Sequence, residues 1–199
     1  EQVKHRGPDS SGIWFDDESD IIIVHRRLSI IDLTEHGSQP MQSKSGRFVI
    51  AYNGEVYNYD ELKKELDDAK DVLWNGKSDT EVILEAIEHW GMEKALSKFN
   101  GMFSLALWDR KNQLLHLARD RMGIKPLYWL FQDSKFIFGS ELKSLMMYEK
   151  FDFEIDKNSL ALFMKYKCVQ NPTTIFKNVY QLEPGTILTF NKDKSIKKT

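Results

Sequence analysis

The sequence is poor in cysteine and has no long apolar run. Its one cysteine, Cys168, cannot form a disulfide within the chain, and such scarcity is typical of a reducing compartment. No apolar stretch approaches the length of a membrane span, and no secretory signal is recognisable. We therefore expect a cytoplasmic protein without a membrane partner.

An excess of charge of either sign is also lacking. The 28 basic and 30 acidic residues give a net charge of -2. Nucleic-acid-binding domains are usually basic, so we expect no nucleic-acid partner. Hydrophobic residues make up 41% of the 199 positions, which suffices for one globular domain with a substantial core.

The order of apolar patterns predicts strands in hairpins with a helical block inserted among them. Residues 21–24 are an unbroken β-branched run, which predicts a strand buried on both faces. Residues 48–52 predict a central strand, and residues 59–66 predict a helix after it. Residues 102–109 and 114–118 predict a hairpin. This segregation favours an α+β architecture over alternating βαβ units.

The dipeptide Asn53-Gly54 follows the central strand and is open to two interpretations. A strand that stops there leaves a carboxamide and a backbone N–H at its end. Two such neutral donors, fixed in place, can stabilise a developing oxyanion. Asn-Gly is also the strongest short turn signal, and taken alone a simple turn is the favoured interpretation.

Charged residues near two predicted elements are ambiguous as well. Arg26 and Arg27 follow residues 21–24, and a guanidinium there can bind a carboxylate through paired hydrogen bonds, or it can be solvated. Asp79 falls in the first turn of a helix, where the helix dipole stabilises a carboxylate. Asp79 is therefore either a helix-start residue or the receptor for a ligand's ammonium group. We interpret His25 as structural.

Two further charged motifs have structural interpretations. Ser78 and Glu81 have the spacing of a capping box, in which Glu81 reaches back to the helix start. Arg119-Asp120-Arg121 lies between two predicted strands and is interpreted as an internal salt-bridge network or a solvated loop.

Six short motifs occur along the chain. They are residues 5–9 (HRGPD), 25–32 (HRRLSIID), 52–58 (YNGEVYN), 78–81 (SDTE), 101–103 (GMF) and 119–128 (RDRMGIKPLY). In this order they resemble the glutamine-hydrolysing domain of asparagine synthetases, a class II glutamine amidotransferase domain of the N-terminal nucleophile hydrolase fold. Six motifs in family order are far more specific than any one of them.

The resemblance implies a four-layer α/β/β/α sandwich of mainly antiparallel sheets, and it assigns roles. Arg27 would bind the α-carboxylate of L-glutamine, and Asp79 its α-ammonium group. Asn53 and the N–H of Gly54 would form the oxyanion hole. The whole set of glutamine-binding residues so implied is Arg27, Leu28, Ser29, Ile30, Ile31, Asn53, Gly54, Glu55 and Asp79. The resemblance implies no metal and no cofactor in this domain.

The nucleophile is where the sequence departs from the family. The family uses a cysteine exposed at the N-terminus after Met removal, whereas Glu1 stands first here. Cys168 matches no nucleophile motif, and we interpret it as an ordinary buried or partly buried thiol. We expect the strand that carries the nucleophile to lie upstream. The chain as given would then bind glutamine weakly at best and not hydrolyse it, while its parent would.

The resemblance also implies an ammonia-accepting synthetase domain in the same polypeptide. That domain would use ATP and Mg to amidate aspartate, and no pyrophosphate-binding loop for it occurs in this sequence. We expect residues 1–190 to form the amidotransferase domain, residues 191–199 to be a polar tail or linker, and a homodimer to be possible. The alternatives are an amidotransferase domain for a sugar or peptide-like carboxylate, and a non-catalytic glutamine-binding domain.

Overall fold

The computed structural model describes residues 1–30, 32–191, 193 and 195–199. Its strands are β1 (Ser10–Asp16), β2 (Ile21–Arg27), β3 (Met41–Gln42), β4 (Phe48–Val56), β5 (Gly101–Asp109), β6 (Leu114–Arg119), β7 (Tyr128–Gln132), β8 (Lys135–Gly139), β9 (Val179–Gln181), β10 (Ile187–Asn191) and β11 (Ile196–Lys198). Its α-helices are α1 (Tyr59–Ala69), α2 (Asp79–Trp90), α3 (Met92–Lys98), α4 (Leu142–Leu145) and α5 (Lys157–Tyr166).

The strands form antiparallel sheets in two layers. A six-stranded sheet has the order β11-β10-β6-β5-β4-β3. The second layer contains the β1-β2 hairpin and a three-stranded sheet of order β8-β7-β9. Every paired strand in the described part of the chain runs antiparallel to its neighbour. The predicted α+β class is confirmed.

Alternation along β4 places one core on each face of the six-stranded sheet. Ile50 packs with Ile83 of α2 in the core that also contains residues of α1 and α3. Val49, on the opposite face, packs with Trp129 of the second layer. Beyond that layer, Leu145 of α4 covers the three-stranded sheet. The layers therefore follow the order helix, sheet, sheet, helix, as the resemblance implies.

The exposure of one face of β2 contradicts the prediction of a strand buried on both faces. Ile23 is fully buried, but Ile22 and Val24 are 65% and 58% exposed. Their cross-strand partners Phe15 and Ile13 are exposed too. The prediction was wrong because an unbroken apolar run shows that both faces are apolar, and not that both are covered.

The central strand is longer than predicted, since β4 continues through Asn53-Gly54 to Val56. The dipeptide is neither a turn nor a strand end. Gly54 pairs with Phe103 of β5, and a Cβ at Gly54 would collide with the carbonyl oxygen of Met102. Glycine is therefore required for the close approach of two strands, a role that the turn signal cannot distinguish.

The Arg119-Asp120-Arg121 motif binds backbone groups instead of forming a salt-bridge network or a solvated loop. Arg119 donates to the carbonyl oxygens of Lys125 and Gly123, and also to that of Leu182. Arg121 donates to the carbonyls at the end of α3. Asp120 is buried and accepts from four backbone N–H groups, those of Phe103, Met122, Ile124 and Lys125. The motif therefore fixes the connection between β6 and β7.

Asp120→Asn is expected to lower the free energy of unfolding by about 3–5 kcal/mol, because its new amide group faces two N–H donors that lose their acceptor. Urea unfolding monitored by tryptophan fluorescence measures the loss. Asp133→Asn is the control, since Asp133 is exposed in the β7-β8 turn at positive φ, where asparagine fits equally well. A loss of less than 1 kcal/mol for Asp120→Asn would contradict the role of this carboxylate.

The C-terminal third differs from the predictions at Cys168 and in the expected tail. Cys168 is exposed and not buried, because it follows α5, which lies on the surface. Part of the expected polar tail forms β11, which pairs with β10, while the domain boundary at residue 190 stays a prediction.

None of the helices in the described ranges combines the length and hydropathy required to cross a membrane.

Candidate active site

A cavity of about 1150 Å³ lies between the six-stranded sheet and the second layer. The predicted binding residues that line it are Arg27, Leu28, Ser29, Ile30, Asn53, Gly54, Glu55 and Asp79. Ile31 lies outside the described residues. Side chains from three separate stretches of sequence thus meet in one cavity, although their individual roles stay predictions.

The outer edge of β4 presents a backbone donor to this cavity. The Tyr52 N–H donates to Gln39 Oε1 at 2.6 Å, and the Val56 N–H donates to Asp79 Oδ2 at 3.2 Å. Both of these N–H groups point away from β5. Because N–H directions alternate along an antiparallel strand, the Gly54 N–H lies between them on the same edge. Strand β3 pairs with β4 only at Ile50 and Val49, so no described strand pairs with the edge at Gly54.

The side chain of Asn53 supplies a second donor. It lies on the cavity-facing side of β4, and its Nδ2 is buried and has no hydrogen-bond partner within the described ranges. Buried polar groups are nearly always paired, so an unpaired one requires an explanation. A donor kept free for a ligand oxygen is such an explanation. The Asn53 amide and the adjacent Gly54 N–H have the chemistry of an oxyanion hole.

Arg27 is anchored at the end of β2 by backbone oxygens. Its Nη1 donates to the carbonyl of Thr34 at 2.8 Å, and its Nη2 donates to the carbonyl of Asp32. The guanidinium packs against Gly37, where any Cβ would collide with Nη2. These contacts fix the orientation of a cation in the cavity wall, but neither neutralises its charge. Arg27 thus remains available to a carboxylate.

Asp79 places a carboxylate in the same cavity at the start of α2. It is only 5% exposed, and its Oδ2 accepts from the Tyr52 hydroxyl at 2.9 Å as well as from Val56. Burial raises the pKa of Asp79 above its ordinary value, and these hydrogen bonds only partly oppose the rise. The negative charge of Glu55 also raises it. A bound cation would stabilise the ionised form.

The comparisons with known proteins identify the family of this chain. The family described as the glutamine amidotransferase domain matches residues 1–199. The chain belongs to this family. Glutamine-hydrolysing asparagine synthetase 1 of Bacillus subtilis (strain 168) is 42% identical over 196 residues, which are 98% of this chain and 30% of that protein. Asparagine synthetase 3 of the same organism is 38% identical and covers 96% of the chain and 31% of its own length.

A solved structure shows the same fold. Glutamine phosphoribosylpyrophosphate amidotransferase from B. subtilis superimposes with a TM-score of 0.61 over 89% of this chain and 34% of its own, at 19% identity. The amidotransferase domain therefore spans about a third of the length of the relatives it matches. It is homologous to the glutamine-hydrolysing domains of asparagine synthetases.

The hydroxyl of Tyr52 is a contact that sequence reasoning missed in this amidotransferase domain. Tyr52→Phe removes a donor to Asp79, so the pKa of that carboxyl should rise further and its affinity for an ammonium group should fall. In the full-length protein we expect the KM for glutamine to rise roughly ten-fold with little change in kcat. Tyr57→Phe is the matched control, because Tyr57 belongs to the same motif but is 54% exposed. An unchanged KM in Tyr52→Phe would contradict this contact.

His25 supports β4 from the second layer. Its Nε2–H donates to the Tyr52 carbonyl at 3.1 Å, which leaves Nδ1 unprotonated. Burial lowers the pKa of His25 to about 4, so the ring is neutral near pH 7. This geometry agrees with the structural interpretation, since the hydrogen bond fixes the peptide that precedes Asn53.

The helix that carries Asp79 begins differently from the predicted capping box. Ser78 is the N-cap, and its hydroxyl accepts from the Thr80 N–H. Glu81 instead accepts from the N–H groups of Asn75 and Gly76. The preceding loop, and not the N-cap residue, receives this side chain. Asp32 and Tyr52 lie in two of the six motifs and Gln39 lies in none, but the contacts of all three were missed, because only the tertiary fold brings their partners to them.

Proposed function

We propose that this domain binds L-glutamine and releases ammonia from its side-chain amide. Arg27 would hold the α-carboxylate, and Asp79 the α-ammonium group. The Asn53 Nδ2 and the Gly54 N–H would bind the carbonyl oxygen as it becomes an oxyanion. The observation that carries the proposal is the buried, unpartnered Asn53 amide in a cavity that also holds an anchored cation and a buried carboxylate.

The attacking group in this proposal is a cysteine thiolate, as the family resemblance implies. The thiolate adds to the amide carbon, the C–N bond breaks as nitrogen takes a proton, and water then hydrolyses the thioester to glutamate. Cys168 does not supply this thiolate, because it is exposed beyond α5 and is not a cavity-lining residue. The nucleophile would come from residues other than these 199.

The shape of the cavity offers room for such a segment. Glutamine alone does not fill about 1150 Å³, which exceeds the usual size of small-molecule sites. Residues of β2 and β8 both line the cavity, and each of these strands pairs on one side only in the described part of the chain. An extended segment could hydrogen-bond to both edges and bring a thiol towards Asn53.

The ammonia would be used by a synthetase domain of the same polypeptide, which would amidate aspartate with ATP and Mg. This part of the proposal rests on relatives about three times as long as the region they share with this chain. There are two alternatives. The acceptor could be a sugar or peptide-like carboxylate, or the domain could bind glutamine without catalysis. Oligomeric state, including a homodimer, and a cytoplasmic location stay predictions.

The test compares ammonia release from glutamine by the full-length protein and by the 199-residue chain. We expect release by the first and none by the second, and Cys168→Ser should leave the full-length rate unchanged. Release by the 199-residue chain would place a nucleophile within it and contradict the proposal. A full-length protein that binds glutamine without releasing ammonia would favour the non-catalytic alternative.

A further inference from the structure

The two charged groups proposed to hold glutamine come from different elements. Arg27 ends β2, whereas Asp79 begins α2, and 51 residues separate them in sequence. A free α-amino acid carries its carboxylate and ammonium groups on one carbon. Binding both therefore requires a fixed distance between the cation and the anion, and some contact must join the two elements.

Asp32 makes that contact. It is 7% exposed, and its Oδ1 accepts from the N–H and the hydroxyl of Thr34 at 2.8 and 2.6 Å. Its Oδ2 reaches across to the N–H of Lys77, at 3.0 Å, two residues before Asp79. Its own carbonyl accepts from Arg27. The hydrogen bonds from Thr34 and Lys77 hold the pKa of Asp32 at about 2, so it accepts as a carboxylate at neutral pH.

The loop of residues 75–77 is held from its other side by α2. Glu81 accepts from the N–H groups of Asn75 and Gly76 at 2.9 and 3.0 Å. A Cβ at Gly76 would lie 2.8 Å from Asp32 Oδ2, so only glycine permits this approach. The carboxylates of Glu81, in α2, and of Asp32, in the loop that anchors Arg27, thus bind the same short loop. The side chain of Asp32 therefore connects the loop that anchors Arg27 to the residues just before the helix that carries Asp79.

We propose that Asp32 is a positioning residue that fixes the separation of Arg27 and Asp79 and thereby makes the site selective for free α-amino acids. This inference rests on the proposed function. Asp32 touches no substrate atom in it. The side chain acts through Thr34, whose carbonyl binds Arg27, and through Lys77, which leads into the helix of Asp79.

Asp32→Asn in the full-length protein tests the inference. The new amide donor would face the Lys77 N–H, so the loop should separate from Asp32. We expect the KM for glutamine to rise about 10- to 100-fold, with kcat within about three-fold. Asp109→Asn is the matched control, because Asp109 is a buried carboxylate that binds Arg47 and the N–H of Lys111 and is not a lining residue of the cavity. It should lower stability without a selective change in KM.

Two glutamine analogues separate positioning from a general loss of structure. One, 4-aminobutanamide, lacks the α-carboxylate, and the other, 4-carbamoylbutanoate, lacks the α-amine. Neither engages both charged groups, so Asp32→Asn should lower kcat/KM for glutamine at least ten-fold more than for either analogue. An equal loss for all three compounds would overturn the inference, because it would show that Asp32 only stabilises the fold.

Calorimetric binding of glutamine distinguishes failure of this inference from failure of the proposed function. A wild type that binds glutamine without hydrolysing it counts against the proposed function, while weaker binding by Asp32→Asn still supports positioning. Equal binding by wild type and Asp32→Asn overturns the positioning role, whatever the hydrolytic activity.

Discussion

Asn53→Ala is expected to lower kcat for glutamine hydrolysis by the full-length protein about 10²- to 10³-fold, with a much smaller change in KM. Asn53 Nδ2 is buried and has no partner among the residues that the structure describes, so we expect it to donate a hydrogen bond to a ligand. That bond strengthens as the carbonyl oxygen gains charge, which is why its loss should affect turnover more than affinity. Steady-state release of ammonia measures both constants.

Asn58→Ala is the control for this substitution, since Asn58 lies in the same motif but binds the backbone of Lys98 and Asn100. It should reduce stability and leave kcat close to that of the wild type. A loss confined to glutamine affinity in Asn53→Ala would remove Asn53 from the oxyanion hole. Retained turnover would show that the Gly54 N–H is sufficient.

The strand pattern and the motif order were enough to predict the layered fold and the stretches that form the cavity. Periodicity reports which residues are apolar, and the opposite faces of β4 show that such a pattern places two cores correctly. Periodicity does not report what covers a face, so the exposure of Ile22 and Val24 could not be predicted. Coverage depends on elements distant in sequence.

Asn53-Gly54 shows a different limit of sequence reasoning. The dipeptide was expected to end a strand, and a bare N–H was inferred from that end. The donor does face the cavity, but it does so because β4 extends past its short partner β3. The open N–H was thus inferred from an incorrect local structure, and its role in an oxyanion hole stays a prediction. Strand length and sheet edge are tertiary properties, whereas Asn-Gly is a local signal.

The roles of Gln39, Tyr52 and Asp32 also depend on tertiary structure. Each binds a group at least 13 residues away in sequence: Gln39 binds the Tyr52 N–H, Tyr52 binds Asp79, and Asp32 binds the Lys77 N–H. None has a spacing that recurs in a helix or strand. Residues that orient a site are therefore harder to predict from one sequence than the charged residues they orient.

Asp79→Asn is expected to raise the KM for glutamine about 100-fold or more while leaving synthesis from free ammonia intact. The substitution keeps an acceptor for Tyr52 and removes the charge that would pair with the α-ammonium group in a buried site, where a charge pair is worth several kcal/mol. Parallel assays with glutamine and with ammonium chloride measure how much of each activity the variant retains. Equal loss in both assays would show that Asp79 serves the fold instead.

The raised pKa of Asp79 adds a pH dependence with a defined sign. The folded state retains a proton that the unfolded state has lost, so stability falls as pH rises from the ordinary value of 3.8 through the raised value. Glutamine binding is expected to strengthen over the same window, because the proposed partner of the α-ammonium group, the Asp79 carboxylate, is forming. The increase in melting temperature on adding glutamine should therefore grow with pH in the wild type and stay flat in Asp79→Asn. Asp79 would then both destabilise the empty site and bind the ligand. A glutamine-induced change in melting temperature that does not vary with pH in the wild type would contradict this.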